Sequence, residues 1–317
     1  MNKNARKLIP AVAMLLVSAS MLSTASYAWF SMNNKVTAGG MNVNVVTPGS
    51  LMIASTKDGN YSTTADLNET TARKLAPVST IDALKFFMAK PSTVEHETDT
   101  ASAITANTVI KEIVASAPSE NQIANTEDGI RAFYGVEANP WVDYTFYLTT
   151  TTTTDVYITL DNVMIEPKNS GEAVTNIQKA LRVAILSGNE TDGFSIPEKA
   201  DTNDTNTAVN KHIWAEAGDY NVDGTAWNAI KTATNTTTTP TGTVAIFDKT
   251  STDTYLFKLA ASTTAGEVTK DNAQAVTIRV WLEGESENCT MALADTKDME
   301  VSVSFKLVEY KPTLPAA

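Results

Sequence analysis

The 317-residue chain is poor in the residues that most often carry chemistry, and each shortage excludes something. It has one cysteine, Cys289, and two histidines, His96 and His212. A lone thiol excludes an internal disulfide. Glu285 and Glu287 stand close to Cys289 in sequence and disfavour its thiolate, so it reads as a small buried apolar residue rather than a nucleophile. Glu95-His96-Glu97 is not a zincin motif, because Thr100 occupies the place of the second histidine in H-E-x-x-H. A metal held by distant His96 and His212 is the remaining histidine route, against two solvated loop histidines. Basic residues are also scarce, 24 against 36 acids, a balance that repels phosphate backbones and makes nucleic acid a poor partner. No G-x-S-x-G, P-loop or Rossmann fingerprint occurs, and no catalytic residue is assigned. The one long apolar run falls short of the roughly 20 residues of a membrane-spanning helix.

That run belongs to an export leader. Residues 2–7 are basic, Leu8 to Leu22 is uncharged and largely apolar, and Ser26 and Ala28 are small residues at the −3 and −1 positions of a cleavage site. Residues 1–28 therefore read as a signal peptide cut after Ala28 by a signal peptidase, with the membrane met only transiently. An uncleaved anchor is the alternative. The protein is expected to be secreted, extracellular or at the cell surface. Its mature form begins Trp29-Phe30-Ser31-Met32 and carries a net charge of about −15, because the leader holds three basic residues and no acid. The remaining 289 residues, in a chain that is 43% hydrophobic, suffice for a buried core.

Period-two alternation dominates the mature chain. Met41, Val43 and Val45 alternate with asparagines, and Asp58-Gly59 closes a turn after Leu51–Ile53. Val142, Tyr144, Phe146 and Leu148 share one face, and Val156, Ile158 and Leu160 repeat the period after the run Thr149–Thr154. Further strands are expected at Leu181–Leu186, Val244–Phe247, Tyr255–Leu259, Val276–Leu282 and Val301–Leu307. In the last two the alternation is nearly perfect, which predicts one buried and one wet face. Short helices are expected at Thr80–Met88, Val109–Ala115 and Val174–Ala180. Two polar stretches, near 95–129 and 189–240, read as insertions. The prediction is all-β: one antiparallel jelly-roll-like sandwich over 41–317 with a few short helices and polar loop insertions.

One loop resembles half of a calcium site. Asp219, Asn221 and Asp223 alternate before Gly224, as in the first half of an EF-hand loop, but Ile230 stands where the closing glutamate belongs. A surface turn is the simpler reading, a weak calcium site the other; no further cofactor is expected.

Three segments resemble the TasA/camelysin family of secreted matrix proteins. They are the leader through Trp29-Phe30-Ser31, the stretch Leu75–Thr80, and Ile278-Arg279-Val280-Trp281-Leu282-Glu283-Gly284 followed by Cys289 and the strand Val301–Phe305. The resemblance implies a jelly-roll fibre subunit of the biofilm matrix, a homopolymer in which the mature N-terminus is donated as a strand to a neighbour. Residues 29–40 fit that role. Trp29, Phe30, Met32 and Val36 supply side chains for grooves, and Gly39-Gly40 supplies a hinge. The alternatives are a strand paired within its own molecule, giving a monomeric adhesion or binding module, and less readily a camelysin-like metallopeptidase, for which no protease motif is present.

Overall fold

A computed structural model describes residues 36–45, 50–67, 73–80, 83–91, 108–115, 118–120, 122–134, 138–167, 177–188, 209–215, 243–247, 254–284 and 298–308. Two sheets face each other. The first runs β14 (Thr254–Leu259), β10 (Val156–Pro167), β16 (Asp298–Val308) and β1 (Val36–Val45), with β3 (Thr64–Leu67) and β4 (Arg73–Leu75) sharing the far edge of β1. The second runs β2 (Leu51–Ala54), β9 (Trp141–Thr150), β15 (Gln274–Glu283), β11 (Leu181–Ser187), β12 (Val209–Ala215) and β13 (Thr243–Phe247). The alternating apolar positions of both sheets meet in one core. Met41, Val301, Val303, Phe305, Ile158 and Val163 come from the first sheet, and Val142, Phe146, Val183, Ile185, Val276 and Ile278 from the second. The all-β sandwich follows from that pattern.

Direction does not follow from it. Four pairings are parallel, including β1 with β16, the first and last described strands. Side-chain alternation is the same in parallel and antiparallel ladders, so the periodicity carries no sign of chain direction.

A second layer covers the outer face of the second sheet. Beyond Trp141, where β9 begins, β5 (Pro77–Thr80) takes its place beside β15, pairing Pro77 and Val78 with Leu282 and Glu283. β6 (Phe86–Pro91), β7 (Thr108–Val114) and β8 (Gln122–Ala124) continue outward from β5. Helix α1 (Glu127–Tyr134) follows β8. Thr126 caps it by accepting the Gly129 N–H at 3.0 Å, and Glu127 and Asp128 place negative charge at its positive end. The resulting cap encloses a second core, in which Phe86, Met88, Ile113 and Ile130 pack on Ala184, Leu186, Ile213 and Trp281.

The cap accounts for three departures from expectation. β15 does not have one wet face: Thr277, Arg279, Trp281 and Glu283 are as buried as Val276, Ile278, Val280 and Leu282. In β16, by contrast, Ser302, Ser304 and Lys306 stay half-exposed between buried neighbours, as predicted. Of the expected helix at Thr80–Met88, Thr80 ends β5 and the described residues 83–88 form a bend and the start of β6, with Ala83 held at φ 56°. Val109–Ala115 is mostly β7, because Thr108, Val109, Ile110, Ile113 and Val114 are β-branched and lose rotamer freedom in a helix. Val174–Ala180 contains one helical turn, α2 (Ile177–Ala180). The stretch 95–129 carries β7, β8 and the start of α1, and β12 falls within 189–240.

Candidate functional site

The most structured chemistry lies between the second sheet and its cap. β9 and β15 run antiparallel with Asp143 opposite Arg279 and Trp141 opposite Trp281, all on the cap side. Arg279 is 2% exposed. Its Nε and Nη2 donate to the two carboxylate oxygens of Asp143 at 2.7 and 2.6 Å, a bidentate fork, and Nη1 donates to the Ala83 carbonyl at 2.8 Å. The guanidinium lies over Trp141, 4.8 Å from the ring centroid, with Phe86 at 5.7 Å. Phe86 stacks on Trp141 with centroids 4.4 Å apart and meets Trp281 edge-on at 5.5 Å. The left-handed conformation of Ala83 directs its carbonyl at the arginine.

One step along β15, Glu283 is equally buried. It accepts the indole N–H of Trp281 at 3.1 Å and the hydroxyl of Ser79 on β5. Arg182 on β11 stands opposite Trp281, and its Nη1 donates to the Leu181 carbonyl at 3.0 Å and to the Lys179 carbonyl. Arg279 through the Ala83 carbonyl and Glu283 through the Ser79 hydroxyl tie the cap to the sheet.

A second region is the loop cluster at the opposite end of β9, which explains the threonine run. Thr149 and Thr150 end β9 buried among the loops. Thr150 Oγ1 accepts the Thr152 N–H at 3.2 Å and Thr152 Oγ1 donates to the Thr154 carbonyl at 3.0 Å, while the Thr151 N–H donates to the Ser50 carbonyl at 2.9 Å. The N–H groups of Gly266 and Ser262 donate to the carbonyls of Thr151 and Thr152 at 2.9 and 2.7 Å. Thr269 Oγ1 accepts the Thr263 N–H at 3.0 Å and lies 2.9 Å from Ser262 Oγ. Asp155 accepts from Lys258 Nζ at 2.6 Å and the Ala261 N–H at 3.0 Å, and these bonds hold its carboxyl below its ordinary value. In the neighbouring turn the Tyr61 hydroxyl donates to the Lys57 carbonyl at 2.9 Å; burial, then Tyr147 and Asp58, push its pKa up to about 12. Hydroxyls have replaced hydrophobic packing as the glue of this surface.

The residues singled out from sequence are not brought together. Ala28, Trp29, Phe30 and Met32 lie outside the described residues, as do Asp219, Asn221, Asp223, His96 and Cys289. Val36 opens β1 opposite Leu75. Gly39 and Gly40 sit inside β1, at the register shift between Ala38 and Met41, so in this structure the glycine pair makes a bulge in a strand paired on both sides. His212 lies in β12 opposite Ile185. Among the described residues no three His, Cys, Asp or Glu side chains are grouped to hold a metal, and no helix is long and apolar enough to cross a membrane. Trp281 packs in the second core. The Asp143–Arg279 fork was not foreseen. Its only trace in the sequence is an acid and a base on the non-core face of two alternating strands, and the register that matches them is a long-range fact. No family model, curated protein or solved structure matches the chain.

Proposed function

We propose that this chain is an exported structural subunit, of the TasA/camelysin kind, that builds an extracellular or cell-surface filament by donating its mature N-terminal segment to a neighbouring copy. The observation that carries the reading is the end of β4: it pairs with β1 from Ala38 to Val36 and stops at Leu75, after which the chain passes to the second sheet as β5. β4 therefore offers no ladder to the residues that precede Val36. Trp29–Lys35, seven residues, spans about 23–25 Å when extended, the reach of an added strand.

Main-chain bonds to an open sheet edge contribute roughly 0.5–1.5 kcal/mol each, and burying Trp29 and Phe30 about 2–3 kcal/mol apiece. Association costs about 4–15 kcal/mol, so subunit faces must add to the donated strand. A head-to-tail contact that does not close propagates as a fibre. The test is negative-stain electron microscopy of the mature chain at rising concentration, beside a variant lacking Trp29–Lys35. The truncated chain should stay folded and monomeric; filaments undiminished by the deletion sink the proposal. A monomeric adhesion module is the second reading, favoured by the hydroxyl-linked loop surface around Thr149–Thr154 and Ser262–Thr269. Particles that remain monodisperse at every concentration support it.

A further inference from the structure

We propose that the fold carries its own delay: the chain cannot form its sandwich until β15 and β16, the last two described strands, are both available. The strand orders carry this inference. In the first sheet β16 lies between β10 and β1, pairing with β10 from Tyr157 to Pro167 and with β1 from Thr37 to Val45. Among the described residues no other ladder joins β14 and β10 to the group of β1, β3 and β4. In the second sheet β15 lies between β9 and β11 and also receives β5. Take β15 away and that sheet falls into three pieces: β2 with β9, β11 with β12 and β13, and the cap strands β5–β8.

The pieces are small and lack the faces they pack on. A two-stranded ribbon is marginal in water, and a larger one needs its hydrophobic face covered. β15 and β16 supply the middle of that cover. Val276, Ile278, Val280 and Leu282 come from one, and Met299, Val301, Val303, Phe305 and Leu307 from the other, all buried in the sandwich core. The cap depends on β15 as well, through Trp281 in the second core and through the bonds of Arg279 to Ala83 and of Glu283 to Ser79.

Sequence distance adds to the effect. β1 pairs with β16 through Thr37 and Asp298, so the entropy of closing nearly the whole described chain must be met before that ladder forms. Early strands therefore gain little until the late ones arrive. The use of such a delay rests on the export reading proposed above: a chain that crosses a membrane as a thread must stay unfolded behind its leader, and the strands preceding β15 have no closed sandwich to fold into.

The test is pulsed hydrogen exchange with mass spectrometry during refolding of the mature full chain from urea. Peptides covering β1, β9, β10 and β11 should gain protection in the same phase as those covering β15 and β16, at rates equal within about twofold. Protection of β10 with β14, or of β1 with β3, in a phase that precedes β16 would overturn the proposal. As a second measurement, the mature chain ended after Lys297 lacks β16 alone. It should lose its near-ultraviolet circular dichroism and be cut by trypsin at least about a hundredfold faster than the full chain. A truncated chain that keeps both its signal and its resistance would overturn the proposal too. Export is read separately, from whether the protein found outside the cell begins at Trp29; a failure there removes the use of the delay and is distinct from either folding result.

Discussion

Removing the carboxylate of Asp143 isolates one side of the buried fork. In the Asp143→Ala chain the Arg279 side chain, 3% exposed, keeps its charge and its bond to Ala83 but loses both acceptors at Nε and Nη2. Removing one partner of a buried pair costs about 3–5 kcal/mol, and the 20% exposure of the Asp143 side chain puts the expected loss at the lower end of that range. The cation–π contact with Trp141, worth about 0.5–2 kcal/mol, is kept in the variant and so cancels from the difference. The double variant Asp143→Leu/Arg279→Met removes both charges and keeps the volume. Its cost reduces to the orphaned Ala83 carbonyl, about 1–3 kcal/mol. The double variant should therefore be no less stable than Asp143→Ala alone. Urea unfolding of wild type, Asp143→Leu, Arg279→Met and the double variant, followed by tryptophan fluorescence, closes the cycle. Additive losses, leaving the double variant the least stable of the four, would refute the assignment of the fork as a coupled buried pair.

Further expectations concern packing and titration. Phe305→Ala, in the middle of the sandwich core, should cost about 3–5 kcal/mol in urea unfolding, whereas Met164→Ala, on a side chain 43% exposed, should stay within about 0.5 kcal/mol. Gly129→Ala places a Cβ 2.4 Å from the Ala124 carbonyl oxygen, so α1 must shift; a loss of about 1–3 kcal/mol is expected, against the small gain alanine ordinarily brings to a helix. Asp155 is more acidic folded than unfolded, so its contribution is present above its ordinary pKa and lost as pH falls through the lower folded value. Acid unfolding of Asp155→Asn should accordingly show a shallower pH dependence below about pH 4. Tyr61 titrates at about 12 when folded, so its contribution is intact below pH 10 and declines as pH rises toward 12. Tyr61→Phe should remove one step near pH 12 from the phenolate absorbance titration.

The sequence alone determined the sandwich. Met41/Val43, Val142–Leu148, Val156–Leu160 and Val301–Leu307 alternate every second residue, and one face of each lies in the core, because a pleated strand presents successive side chains to opposite sides. It also set the local signals that held: the Asp58-Gly59 turn, where the Gly59 N–H donates to the Thr56 carbonyl at 3.0 Å, and the β-hairpin bridge from Ile53 to Ser62. Only the tertiary structure decided the rest. Whether Thr277, Arg279, Trp281 and Glu283 face water depends on a cap drawn from residues far earlier in the chain. That the polar face of β15 is buried is therefore a non-local fact that no window of sequence contains. Parallel pairing of β1 with β16 is non-local in the same way, since period two is blind to direction. The pairing of Asp143 with Arg279 depends on register, set by two cores at once. A one-residue slip of either strand would turn its charge into the hydrophobic core, and the desolvation cost of that exchange selects the alignment observed.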